Sequence, residues 1–182
     1  MNKKRLESNN LVKVLDVSKD IKFDLRYAGK NNFTKKKLYK KPVCLLRKKA
    51  AIALSNVQKK LEKRNLGLLL WDCYRSPEIQ KKLRKVFDDE NLVPKVSNHS
   101  KGIAVDLTLC KKDGTCLKMP TEFDDFSKKA GADYTHLSEE RIKNRDLLKR
   151  VMEKQGFKQS QFEWWHFDFL GIKNPRVIYL KI

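Results

Sequence analysis

Ser97-Asn98-His99-Ser100-Lys101-Gly102-Ile103-Ala104-Val105-Asp106-Leu107-Thr108-Leu109 is the stretch from which the fold of this chain is read. Its second half alternates. Ile103, Val105, Leu107 and Leu109 point one way, and Ala104, Asp106 and Thr108 point the other. That is the period of a β-strand with one apolar face. Asp106 therefore lies on the face opposite the apolar one. Gly102, just ahead of the strand, permits a tight bend. His99, seven residues before Asp106, sits on a loop that this bend folds back over the strand.

Working outward, Ala50, Leu54, Val57 and Leu61 recur at helical spacing, so a helix is expected from about Leu46 to Arg64, ended by Asn65 and Gly67. Leu66 to Trp71 is an apolar run of strand length. Ser76-Pro77-Glu78 is a helix start: a capping hydroxyl, a proline at the first helical position and an acid against the dipole. Ile79, Leu83, Val86 and Phe87 give that helix its core face. Val12 to Tyr27 reads as a strand plus a turn, and Gly29 to Lys41 as a long basic loop. Ser138-Glu139-Glu140 opens a last long helix, with Ile142, Leu148, Val151 and Met152 on its buried side and Gly156 closing it. Gln161 to Leu170 is aromatic and strand-like, and Val177 to Ile182 is expected to add an edge strand. Mixed in this order, the elements predict an α+β fold, a small and mostly antiparallel sheet flanked by helices, in one domain spanning residues 1–182.

Composition narrows the class. A chain of 182 residues suits one self-sufficient core, and 40% hydrophobic residues is too many for a disordered chain. The net charge of +20 would suit a nucleic-acid or anionic-polymer partner. The basic residues are scattered and form no recognisable nucleic-acid motif, so no nucleic-acid partner is expected. No stretch approaches the roughly 20 apolar residues of a membrane span. Met1 to Asn10 are polar and hold no signal core, which fits a cytoplasmic chain or a periplasmic or secreted one whose signal has been removed. Oligomeric state is not legible. Cysteines 44, 73, 110 and 116 show no Cys-x-x-Cys pair, which argues against a structural zinc knot. Cys110 and Cys116 flank an Asp-Gly hairpin signal and stand either as a cross-hairpin disulfide or as two free thiols.

Glu163-Trp164-Trp165-His166 completes the chemistry. Two of the chain's three histidines fall in these two segments, each with a carboxylate nearby. Two imidazoles, a ligand carboxylate and a spare carboxylate to take a proton from water are the inventory of a catalytic zinc site with one open position. Taken singly, His99 reads as a surface residue and His166 as a core one; the metal reading rests on the pair. Glu163 and His166, three apart, would point to opposite faces of a regular strand, so an irregular backbone is expected at Trp164-Trp165. Trp164, Trp165, Phe167 and Phe169 read as core. His136 is assigned to the surface or to a supporting role. Arg75, between a strand and a helix start, stands either as an oxyanion partner or as an ordinary ion pair with Asp72. Ser97 stands either as a substrate ligand or as a brace of its loop.

These motifs resemble the VanX-type D-alanyl-D-alanine dipeptidases. The Ser-x-His-x-x-Gly-x-Ala-x-Asp pattern is complete at Ser97, His99, Gly102, Ala104 and Asp106, and Glu-x-Trp-His at Glu163, Trp165 and His166. Asp24 to Tyr27 with Asn32-Phe33, Trp71-Asp72-x-Tyr74-Arg75, and Met119-Pro120-Thr121-x-Phe123-Asp124 extend the likeness from about Asp24 to Phe169. The resemblance implies one Zn²⁺ per chain on His99, Asp106 and His166, with Glu163 as the general base and Arg75 steadying the tetrahedral intermediate. It further implies that Asp124 pairs with the ammonium of a small dipeptide, Ser97 with its carboxylate, that Tyr27 lines the pocket, and that Asp72 and Tyr74 hold Arg75. The chain departs from the family at Cys73, where glycine is usual, and at Pro120; Asp125 beside Asp124 leaves the amine partner open between the two. The activity so implied is hydrolysis of D-Ala-D-Ala to two D-alanines. A related carboxypeptidase or endopeptidase acting on cell-wall peptides is the alternative, and a basic binding protein with a degenerate metal site is the remote one.

Overall fold

A computed structural model describes residues 3–181. Five strands form the main sheet, in the order β2 (Lys22–Phe23), β4 (Leu66–Asp72), β5 (Ala104–Lys111), β7 (His166–Phe169) and β6 (Phe157–Gln159). Only β2 and β4 run parallel; the other neighbours are antiparallel. A separate ribbon pairs β1 (Leu11–Lys13) with β3 (Leu45–Arg47). The helices are α1 (Lys3–Ser8), α2 (Val14–Val17), α3 (Lys48–Glu62), α4 (Pro77–Arg84) and α5 (Glu139–Glu153). The architecture is the α+β arrangement read from the sequence.

The alternation of β5 decides which side does what. Val105, Leu107 and Leu109 join Leu54, Leu61, Leu148, Met152 and Phe167 in one apolar core, with α3 and α5 packed on the strands. Asp106 and Thr108 face the other way, yet both are buried. That second face is covered by Trp71, Phe123, Trp164 and Trp165, whose rings meet edge-on or tilted. The sheet is therefore buried on both sides, and the polar groups of the second face are enclosed with the aromatics.

Several expectations are corrected. Leu46 pairs with Val12 in the ribbon, so α3 begins at Lys48. Asn65 ends α3 in the left-handed region at φ 57°, whereas Gly67 is inside β4, where a Cβ would come within 3.1 Å of Gln58. The oxygen of Gln58 there accepts the amide of Leu68, tying helix to strand. Helix α4 starts as predicted, with the Ser76 hydroxyl accepting from Ile79 N. It stops at Arg84, whose guanidinium turns to Asp88, Glu90 and the carbonyl of Val93. Val86 is consequently exposed, and Phe87 stacks on Phe126 instead of extending a helical stripe. Strand β6 was not anticipated. Residues 177–181 form no strand, and Ile182 lies outside the described residues. The segment is fastened instead by single bonds: Ile178 N donates to Ser100 O, and the Tyr74 hydroxyl donates to Ile178 O and accepts from Leu180 N. Cys44 and Cys73 form a disulfide that the spacing of the cysteines did not suggest, while Cys110 and Cys116 face each other across a β-bridge as free thiols.

Candidate active site

Strand pairing builds the centre of the site. Asp106 on β5 is the direct partner of His166, the first residue of β7, so their side chains share one face. The backbone before His166 is a turn, closed by His166 N donating to Glu163 O. This is the irregularity expected at Trp164-Trp165, and it lets Glu163 line the same cleft as His166. His99 lies on a 3₁₀ turn, residues 98–101, that ends at Gly102 with φ 70°. A Cβ on Gly102 would approach Leu11 to 2.9 Å, so glycine is needed there for space as well as for conformation.

His99 Nε2, His166 Nδ1 and Asp106 Oδ1 converge, with separations of 3.2 Å between the imidazoles and 3.3 and 3.0 Å from each to the carboxylate. The other nitrogen of each ring is occupied. His99 Nδ1 meets the Cys73 carbonyl at 2.6 Å, and since a carbonyl only accepts, the proton is on Nδ1. His166 Nε2 meets Asp168 Oδ1 at 3.1 Å. With both N–H groups pointing outward, three lone-pair atoms would point inward, an arrangement that suits a shared cation. Two ligands at about 2.05 Å from a tetrahedral zinc stand about 3.3 Å apart, so the donor set fits that ion.

The electrostatics follow from the same contacts. Burial pushes the Asp106 carboxyl up, but His99 and His166 hold it well below the usual carboxylate range. Burial pulls the His166 imidazolium down, but the hydrogen bonds it donates to Asp106 and Asp168 carry it well above its ordinary value. Burial pushes Glu163 up to about 8, Asp106 and Asp124 adding to the push against His166 and Arg75. Burial pushes Asp124 up to about 7, although Phe33 N and the Tyr27 hydroxyl, both at 3.1 Å, pull it down.

These groups line a cleft of about 370 Å³ with Tyr27, Phe33, Arg75, Ser97, Asp124 and Glu163 on its walls. Arg75 is buried against Asp72, with Nε at 2.9 Å and Nη2 at 2.7 Å from the same oxygen, and Nη1 donates to Gln80 at 2.8 Å. Its guanidinium lies over the Tyr27 ring, and Nη2 is 3.6 Å from Asp106. Three of its five N–H groups are engaged, leaving one on each terminal nitrogen.

A family model described as D-ala-D-ala dipeptidase matches residues 7–179. The chain belongs to that peptidase family. The D-alanyl-D-alanine dipeptidase of Escherichia coli is 33% identical over 165 residues, 89% of this chain and 86% of that one. The Enterococcus faecalis D-alanyl-D-alanine dipeptidase is 29% identical over 179 residues, 85% of this chain and 89% of its own. A solved LD-carboxypeptidase superposes with a TM-score of 0.52 at 19% identity, covering 90% of this chain and 69% of its own; at that identity the fold alone is shared.

Set against this dipeptidase family, the expected site residues line one cleft except Asp72, which is buried behind Arg75, and Tyr74. The Tyr74 hydroxyl bonds to the carbonyls of Ile178 and Leu180, away from Arg75. Gln80 takes a share of the guanidinium instead, and Tyr39 donates to the other oxygen of Asp72. Asp124, at φ 61°, faces the cleft, while Asp125 caps the amide of Ser127. The Ser97 hydroxyl accepts from His99 N, which leaves its own proton free to donate. His136 is exposed beside Tyr134. The sequence reading missed Asp168, although two residues after His166 on one strand means one shared face. It also missed the Cys73 carbonyl, which no side-chain pattern reveals. The residue that departs from the family at position 73 therefore orients His99 through its backbone and is pinned by its sulfur to Cys44.

Proposed function

We propose that this chain hydrolyses the free dipeptide D-Ala-D-Ala, with zinc held by His99, Asp106 and His166. The observation that carries the reading is the convergence of one ligand atom from each of those residues, with Glu163 and Arg75 on the same cleft wall. The relatives named for this activity support the substrate. When bound, zinc supplies Lewis acidity to the scissile carbonyl and acidifies water at the site.

The chain's own groups do the rest. Glu163 accepts the proton of the attacking water and returns it to the leaving amine, and its raised pKa suits a group that must do both. Arg75, rigid between Asp72 and Gln80, offers its two remaining N–H groups to the developing oxyanion without reorganising. Asp124, held by Tyr27 and Phe33, takes the substrate ammonium, and the Ser97 hydroxyl donates to the carboxylate. A cleft that recognises both termini excludes longer peptides.

The test is zinc content measured together with D-alanine release from D-Ala-D-Ala and from its N-acylated form. The free dipeptide is expected to be the better substrate. Faster cleavage of the blocked peptide overturns the dipeptidase reading in favour of a carboxypeptidase, and a metal-free chain without turnover overturns both.

A further inference from the structure

The cleft wall carries two permanent cations, Arg75 and Lys158. Arg75 is committed to Asp72 and Gln80. Lys158 is exposed, and among the described residues its ammonium has no hydrogen-bond or ion-pair partner. Its direction is fixed by the sheet. On β6, Phe157 and Gln159 are buried and Lys158 is not. Lys158 is the register partner of Asp168 on β7. Directly opposed residues of an antiparallel pair share a face, with Cβ atoms about 5 Å apart. Asp168 bonds to His166 and so faces the site; Lys158 faces it too.

The position along the cleft also matters. The His166 ring presents Nδ1 to Asp106 and His99 and Nε2 to Asp168. Asp168 and Lys158 therefore lie beyond His166. Asp124 is bound by Tyr27 and Phe33, on the side where the Tyr27 ring packs on Arg75. A zwitterionic dipeptide laid between these ends meets a carboxyl group at one and an unpaired ammonium at the other.

We propose that Lys158 is the cation that pairs with the free carboxylate of the dipeptide, beside the neutral Ser97 hydroxyl, and so determines the requirement for an unblocked C-terminus. This rests on the dipeptidase reading of the site. The ammonium does not touch the reacting atoms, so its effect falls on binding.

The test compares the zinc-loaded wild type with Lys158→Met and Lys158→Arg on D-Ala-D-Ala and on D-Ala-D-Ala amide, which lacks the charge. For the free dipeptide, Lys158→Met is expected to raise KM roughly five- to tenfold with kcat within about twofold, the scale of one partly exposed charge-assisted hydrogen bond. Lys158→Arg should recover most of the loss. For the amide, wild type and Lys158→Met should agree in KM, or in inhibition constant against the free dipeptide if the amide is cut too slowly to follow. An unchanged KM on the free dipeptide, or an equal loss on dipeptide and amide, overturns the assignment alone. A zinc-loaded wild type that leaves D-Ala-D-Ala uncut overturns the dipeptidase reading and the assignment with it.

Discussion

Protonation at single atoms sets how the site should respond to pH. Only ionised Asp124 pairs with an ammonium, and its carboxyl sits at about 7. The ionised fraction grows as pH rises through that value. The substrate amine loses its charge above roughly 8. KM for the dipeptide should therefore pass through a minimum between about pH 7 and 8, rising on both sides. Asp124→Asn, which suits the left-handed backbone, should abolish the acid-side rise while raising KM throughout. A pH-independent KM in the wild type would remove Asp124 from the amine subsite. Glu163 must be ionised to accept a proton, so kcat should fall as pH drops through its range, which a bound cation shifts below the value of about 8. Glu163→Ala is expected to retain zinc and lose at least a thousandfold in kcat, whereas His166→Ala should lose the metal. Normal turnover by Glu163→Ala would reassign the base. Arg75→Ala should lower kcat more than it raises KM, because its contact is strongest at the oxyanion. At this scale the candidate ligand cluster was legible because histidines are so few that two near carboxylates stand out. Lys158 was not, being one of 42 basic residues with nothing in the sequence to separate it from the rest.

Among the elements, the strands that carry Asp106 and His166 were legible and β6 was not. Strand β5 announces itself by alternation from Ile103 to Leu109, and the face opposite its apolar one holds Asp106. Strand β6 has three residues, too few to show a period. An edge strand was expected at 177–182, but the backbone partners of 177–181 are a tyrosine hydroxyl, one carbonyl and the Arg5 guanidinium, so no ladder forms. Helix α4 was given one turn too many because Arg84 finds its partners in the following loop, a contact that local propensity does not encode. The turn from His99 into β5 yields a prediction at this level. Gly102→Ala places a side chain in the left-handed region and against Leu11, and should cost about 1–2 kcal/mol of stability, read by denaturant unfolding. The same change displaces the His99 turn, so zinc affinity should fall as well. An unaltered affinity would show that the turn does not position the ligand.

For the molecule as a whole, a metal at this site would join the 3₁₀ turn of His99 to β5 and β7, segments separated by 67 residues. Zinc at a thousand times its dissociation constant should add about 4 kcal/mol to stability and raise Tm by about 10 °C in a chain of this size. Calorimetry with and without a chelator checks this, and an unmoved Tm would show that the folded chain does not bind zinc at that concentration. The disulfide and the C-terminal segment complete the frame, and neither was visible as such in the sequence, because each depends on chain closure over long separations.

The segment near the C-terminus has one more consequence. Ile178 grips Ser100, the neighbour of His99, and Tyr74, the neighbour of Arg75, is clasped between Ile178 and Leu180. It works as a belt drawn around two neighbouring parts of the candidate site, whose backbones meet where Arg75 N donates to His99 O. Removing residues 177–181 should slacken both at once, so that catalysis fades at temperatures where circular dichroism still reports a folded sheet.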